Sequence, residues 1–430
     1  MIETNRGTPS CTPPGVGAPK TAGRLHSSIA SFMTNGFEFY DLTILGMALV
    51  FISKEFHLTY VQAGLLSTAT LIGCALSALV IGWISDNKGR RTALIIDVVA
   101  FSVLTAFIAV ATTYNQLLLA RFLGGIFLGG TFTLVGTILN ETWPIHQRGR
   151  ATTLVWVSSS VGVILASIAM ATILPAYGWR WLFGVSIFGL LIALYIFLFV
   201  PETEVWKKMK AERKANTTVP LSKGLKELFS GKLARYTILG TLTATICNMV
   251  FWIFMFWLAS FLIKERHLSP SMVGKYMLFQ SLGQLLGVPI SGFIADKIGR
   301  KPTLIGIFVL GAFVIPFYMS LHNLTLLFWM GPVVAAMFTY PGLMATWYPE
   351  LYPAHLRSLG VGFNFNMGRG ISAAGAPIAG ALVAVFGSLQ MAVSVAGVCY
   401  LLGAVFSFFL PETFNPKTKS STHVVSDQNA

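Results

Sequence analysis

Long apolar runs, each about twenty residues, alternate with short polar stretches from residue 28 to residue 410. A helix needs about twenty apolar residues to cross a hydrocarbon core roughly 30 Å thick. Twelve runs meet that requirement: 28–52, 61–84, 93–112, 117–139, 151–173, 180–200, 236–262, 272–295, 303–320, 324–347, 358–385 and 388–410. The pattern predicts an all-α membrane protein with twelve transmembrane helices. Composition agrees: 54% of residues are hydrophobic and 11% charged, which excludes an ordinary soluble domain. Residues 1–27 are polar and rich in Pro, Gly, Ser and Thr, without the pattern of a cleavable signal, and read as a disordered tail.

Charge fixes an expected orientation. The net charge is +14, but its placement is uneven. With the N-terminus inside, cytoplasmic segments hold 23 of the 30 Lys and Arg, against five on the external side. That is the positive-inside bias, so both termini are expected in the cytoplasm of a cell with this chain in its plasma membrane. The basic excess therefore reports topology and no nucleic-acid partner. Cys11, Cys74, Cys247 and Cys399 are scattered, without metal-ligand spacing. The seven histidines lie in loops, tails or span ends, and no nucleophile or metal constellation appears, so neither an enzyme nor a cofactor is expected.

The chain also repeats itself. "GWISDNKGRR" (82–91) returns as "GFIADKIGRK" (292–301), and "VPETE" (200–204) as "LPETF" (410–414), both 210 residues on. Glu141 and Arg148 are seven apart, as are Glu350 and Arg357 at an offset of 209. These coincidences predict duplicated six-helix halves, 28–200 and 236–410. Between them lies a linker, 201–235, with nine Lys or Arg; residues 411–430 form a second tail. Two such halves match the parallel-repeat transporter plan, with substrate held between them near the midplane. The duplicated loops Gly82…Asp86…Gly89-Arg90-Arg91 and Gly292…Asp296…Gly299-Arg300-Lys301, with "GWRW" (178–181), resemble the major facilitator superfamily over residues 28–413.

Chemistry is expected where charge persists at depth. An ionisable side chain at the middle of a membrane helix costs about 2.5–3.5 kcal/mol on insertion scales and tends to mark a substrate or proton path. Glu38 and Asp41 in "NGFEFYDLTILG" are three residues apart and share a helix face. Two carboxylates that close do not easily both ionise in a poorly solvated site, which suits proton coupling. The alternative is a permanent ion pair with Arg121. That arginine must find an acid, either Asp41 or a substrate carboxylate. Arg369 sits among small residues in "NFNMGRGISAAGAPIAG", in a half whose spans carry no mid-depth Asp or Glu. A substrate carboxylate would supply its anion by bidentate bonding; the alternatives are Glu38, Asp41 or helix carbonyls. Asp97, six residues past Arg91, reads as a local partner of the loop cations.

Asn248, Gln280, Gln284, Asn364 and Asn366 offer hydrogen bonds either to a ligand or between helices. Phe251, Trp252, Phe254, Phe256, Trp257 and Tyr340 either wall a substrate or face lipid. The loop residues Asp86, Arg90, Arg91, Glu141, Arg148, Asp296, Arg300, Glu350 and Arg357 read as a gate whose salt bridges form across the cytoplasmic face.

Within the superfamily, "NGFEFYD", "WLASFLIKERHLS" (257–269) and "YPELYPAHLRSLGVGFNFNMGRG" (348–370) resemble the metabolite–proton symporters, including aromatic-acid and sialate carriers. Ala259 stands where that pattern usually has proline. The resemblance implies that Asp41 and Glu38 couple protons while Arg121 and Arg369 hold the substrate anion. The expected function is import of a small organic anion with protons, by a monomeric carrier in the lipid bilayer. A proton-coupled sugar or polyol carrier is the closest rival; a non-transporting nutrient sensor is a second.

Overall fold

A computed structural model describes residues 21–144, 148–212, 221–353 and 356–413. Its core is twelve helices long and apolar enough to cross a membrane. Spans 1 to 6 are Gly23–Glu55, Tyr60–Lys88, Arg90–Ile108, Tyr114–Thr142, Val155–Tyr177 and Trp179–Phe199. Spans 7 to 12 are Gly231–Lys264, Pro270–Ile298, Arg300–Ser320, Leu324–Leu351, Leu359–Phe386 and Leu389–Phe408. Each of the twelve expected runs falls on one of these helices, with ends displaced by a few residues: most helices continue past the apolar stretch, while the third stops at Ile108, and span 10 is interrupted between Ala336 and Tyr340. The linker contributes two short helices, Glu204–Glu212 and Leu221–Leu228.

Duplication is visible atom by atom at the end carrying the motif loops. Gly89 (φ +108°) and Gly299 (φ +111°) each turn the chain sharply into the next span, in backbone territory that favours glycine. Just past each turn, the exposed amides at the start of spans 3 and 9 donate to a copied acid. Glu202 accepts from the amides of Arg90 and Arg91, and Glu412 from those of Arg300 and Lys301. A helix N-terminus attracts a carboxylate there.

The opposite end is copied too. "KEFHL" (54–58) and "KERHL" (264–268) are 210 apart, a fourth repeat. His57 and His267 share the same left-handed backbone, φ +52° and +53°. Glu55 receives the Trp179 indole N–H and the Arg180 guanidinium, while Glu265 receives the amides of Leu389 and Gln390. Both acids thus tie the end of the first helix of a half to the start of its last.

The halves meet most closely at this opposite end. A Cβ on Gly64 of span 2 would lie 2.6 Å from the backbone of Pro377 in span 11, so only glycine permits the approach. The Thr68 hydroxyl donates to the Ala373 carbonyl across the same seam at 2.6 Å. Tyr60 packs on Trp257, and the Lys264 ammonium lies 4.6 Å from the Tyr60 ring centre. Together these contacts seal that end.

Candidate functional site

Below the seal, on the side of the motif loops, a cavity opens between the halves. Span 1 contributes Glu38 and Phe39, and span 5 Trp156. Spans 7 and 8 contribute Asn248, Phe251, Trp252 and Gln284. Tyr340 and Pro341 of span 10, with Phe365 and Arg369 of span 11, complete the wall. Both halves are therefore needed to build it.

The four depth charges form two pairs. Asp41 is fully buried and lies 3.2 Å from Arg121 of span 4, itself 2% exposed. Arg121 also donates to the Asp41 backbone carbonyl, and Thr105 of span 3 donates to the carboxylate at 2.9 Å. This pair lies inside the N-terminal half. Glu38 instead faces Arg369 across the two halves at 3.5 Å, and no hydrogen bond reaches either of its oxygens among the described residues. The Arg369 guanidinium sits 5.6 Å from the Trp252 ring centre, where the π face adds to its stabilisation.

The arginines consequently border different spaces. Arg369 lines the main cavity; Arg121 lines a smaller one with Thr43, Ser67, Thr70 and Phe256. Trp252 forms part of both walls. The expectation of a common anion site for the two arginines is corrected: Arg121 already has Asp41 as its anion.

Asn248 and Gln284 face the cavity as expected, with Asn248 Oδ1 3.5 Å from the Tyr340 hydroxyl. The three other amides do not line it. Asn364 is a packing group that accepts from Thr241 and donates to Tyr352, both at 3.0 Å. Gln280 packs on Gly331 of span 10 instead. Asn366 donates back to the Gly362 carbonyl of its own helix. None of the six singled-out aromatics faces lipid; all are buried. Three of them, Phe251, Trp252 and Tyr340, line the main cavity, joined by Phe39, Trp156 and Phe365.

Asp97 also differs from expectation. It is fully buried and accepts from Thr131 of span 4 at 2.6 Å, with no salt bridge to a described residue. Lying two turns into span 3, it is too deep to reach the loop cations.

The motif charges assemble within each half. Arg90 contacts Asp86 at 2.7 Å and Glu141 at 3.3 Å; Arg300 contacts Asp296 at 2.5 Å and Glu350 at 3.9 Å. Thr203 and Thr413 each donate to the copied glutamate, Glu141 and Glu350. Arg91 donates to the Phe197 carbonyl of span 6. Among the described residues these motif clasps lie inside each half. The Arg148 and Arg357 side chains lie outside the described residues.

Residues 31–279 and 241–426 match the family model described as Major Facilitator Superfamily. The chain belongs to the Major Facilitator Superfamily. This superfamily member is a multi-pass membrane transporter and not an enzyme. It is 29% identical over 382 residues to the cis,cis-muconate transport protein of Acinetobacter baylyi, covering 86% of this chain and 91% of that protein. The sialic acid transporter NanX of Escherichia coli is 25% identical over 358 residues, covering 81% and 84% respectively. The crystal structure of a D-xylose–proton symporter superposes with a TM-score of 0.74 at 18% identity, over 90% of this chain and 98% of that one. The shared fold is the twelve-helix, two-bundle facilitator architecture.

Proposed function

We propose that this transporter imports a small carboxylate together with protons across the plasma membrane, by rocking of its two halves around the central cavity. The motif loops and both termini lie on the cytoplasmic side, as the distribution of Lys and Arg supports. The structure then corresponds to a state sealed towards the outside.

The observation that carries this reading is the Glu38–Arg369 pair. It spans the two halves, borders the cavity and lacks hydrogen-bonding geometry at Glu38. A substrate carboxylate has the charge and shape to replace Glu38 on the guanidinium, forming the bidentate bonds that Glu38 does not make. Glu38, released into a buried site, then takes a proton, since an ionised carboxylate without a counter-charge is costly to bury. Substrate binding and proton binding become one event. Muconate and sialic acid, named for the two relatives, are both carboxylic acids. Six aromatic rings around a single cavity arginine favour a compact, largely apolar acid. Two amides, Asn248 and Gln284, offer too little hydrogen bonding for a polyol.

Internal pH in proteoliposomes tests the reading, with benzoate, nicotinate, cis,cis-muconate, sialic acid and xylose added outside in turn. Acidification by a carboxylate is expected. Acidification by xylose alone would contradict the reading.

A further inference from the structure

One buried acid takes no part in either arginine pair. Asp97 Oδ2 accepts from Thr131, whereas Oδ1 has no hydrogen-bond partner among the described residues and is packed where Gly130 and Ile81 close around it. The spans packed on span 3 carry Asp86, Lys88, Arg121, Glu141 and Arg180, and span 1 carries Glu38 and Asp41. None of these makes a salt bridge with it among the described residues.

Asp97 occupies a graded position along span 3. Arg90 of the motif clasp lies seven residues before it, about 10 Å along the helix, and Thr105, which holds Asp41, eight residues after it, about 12 Å. All three are buried on one face. Span 1 carries a second polar line. Ser27, Ser31, Thr34, Glu38 and Asp41 recur at helical spacing on a single face, and each is 1% exposed or less. The hydroxyls of Ser27, Ser31 and Thr34 have no hydrogen-bond partner among the described residues, in a setting where buried polar groups nearly always have one. A row of orphaned hydroxyls leading to a carboxyl is costly unless it conducts or holds something polar.

We propose that Asp97 is a third proton-binding carboxyl, and that protons pass between Glu38 and the motif-loop end through the interior of the N-terminal half. The Ser27–Ser31–Thr34 face and Asp97 form this path, which meets the substrate cavity at Glu38. These hydroxyls do not hydrogen-bond one another, so water admitted from the motif-loop end bridges them; in each transfer an O–H bond breaks on one group as another forms on the next, and a bridging water gives up one hydrogen while accepting its neighbour's. The inference rests on the proton-coupled reading above.

The full chain in proteoliposomes tests it with Asp97→Asn, which preserves size and hydrogen bonding but cannot relay a proton. Exchange of labelled for unlabelled carboxylate needs no net proton movement and is expected to persist. Net uptake and internal acidification are expected to fall at least about tenfold, with a changed dependence on internal pH. Ser31→Ala with Thr34→Val is expected to give the same split to a smaller degree. Unchanged net uptake in Asp97→Asn, or equal loss of exchange and net uptake, would overturn the path while leaving proton symport standing. Absence of any carboxylate flux in the parent protein would remove both.

Discussion

Two acid–arginine pairs lie within one turn of each other on span 1, and they differ in almost every physical respect. Asp41 and Arg121 belong to one half, are wholly enclosed, and share hydrogen bonds with Thr105 and a backbone carbonyl. Glu38 and Arg369 belong to different halves, border the cavity, and approach to 3.5 Å without hydrogen bonds on Glu38. The first pair is satisfied at every stage that keeps the N-terminal half intact. The second is changed by any motion of one half against the other. Distance along the sequence would not distinguish them; what each arginine is attached to does.

The contrast predicts different failures. Arg121→Gln strands Asp41 in a closed core and is expected to destabilise the fold by about 3–5 kcal/mol, read as a large fall in Tm of the purified protein. Combining it with Asp41→Asn removes the stranded charge and is expected to recover most of that loss. Failure to recover would show that the pair does more than neutralise itself. Arg369→Gln leaves Glu38 beside a cavity that can admit water, so Tm is expected to fall far less. Carboxylate uptake is expected to fall by about 2 kcal/mol, roughly thirtyfold. Equal Tm losses at both arginines would erase the contrast.

A third change acts on the motion that separates the pairs. Gly64→Val places a side chain against the Pro377 backbone and is expected to weaken the seal by about tenfold in population. A cysteine introduced at Ser67, a small buried residue about one turn further into span 2, would then label faster from that side, while the Asp41–Arg121 pair stays closed. The smallest effect is expected from Tyr340→Phe. Its hydroxyl makes a 3.5 Å contact with Asn248, so uptake should change by less than about threefold.

Much of this architecture was legible in the sequence because the membrane imposes so few solutions. Apolar length located the twelve spans, and a fixed offset revealed the halves. Charge inside an apolar run singled out Glu38, Asp41, Arg121 and Arg369. The pairing of Asp41 with Arg121 was one of two options open there, and Glu38 was among the alternatives for Arg369. Which alternative holds depends on how the halves dock, which no local pattern encodes. The cavity aromatics were legible only in part: Phe251, Trp252 and Tyr340 stood among six candidates, and span 7 carries rings on every side between 251 and 257, so no pattern shows which of them points inward. Asn364 and Gln280 looked like ligands because an amide in a span has the same sequence signature whether it meets a substrate or a neighbouring helix. The copied Lys-Glu-x-His-Leu turn was present in plain letters, yet its meaning lies in two backbone conformations and two acids that clasp helix ends.

The most direct test of the central claim is proton uptake on binding, measured in weakly buffered detergent solution as a transported carboxylate is added to the purified protein. The account predicts about one proton taken up per carboxylate bound, lost in Glu38→Gln although that variant still binds. Carboxylate binding by the parent protein with no proton taken up would contradict it.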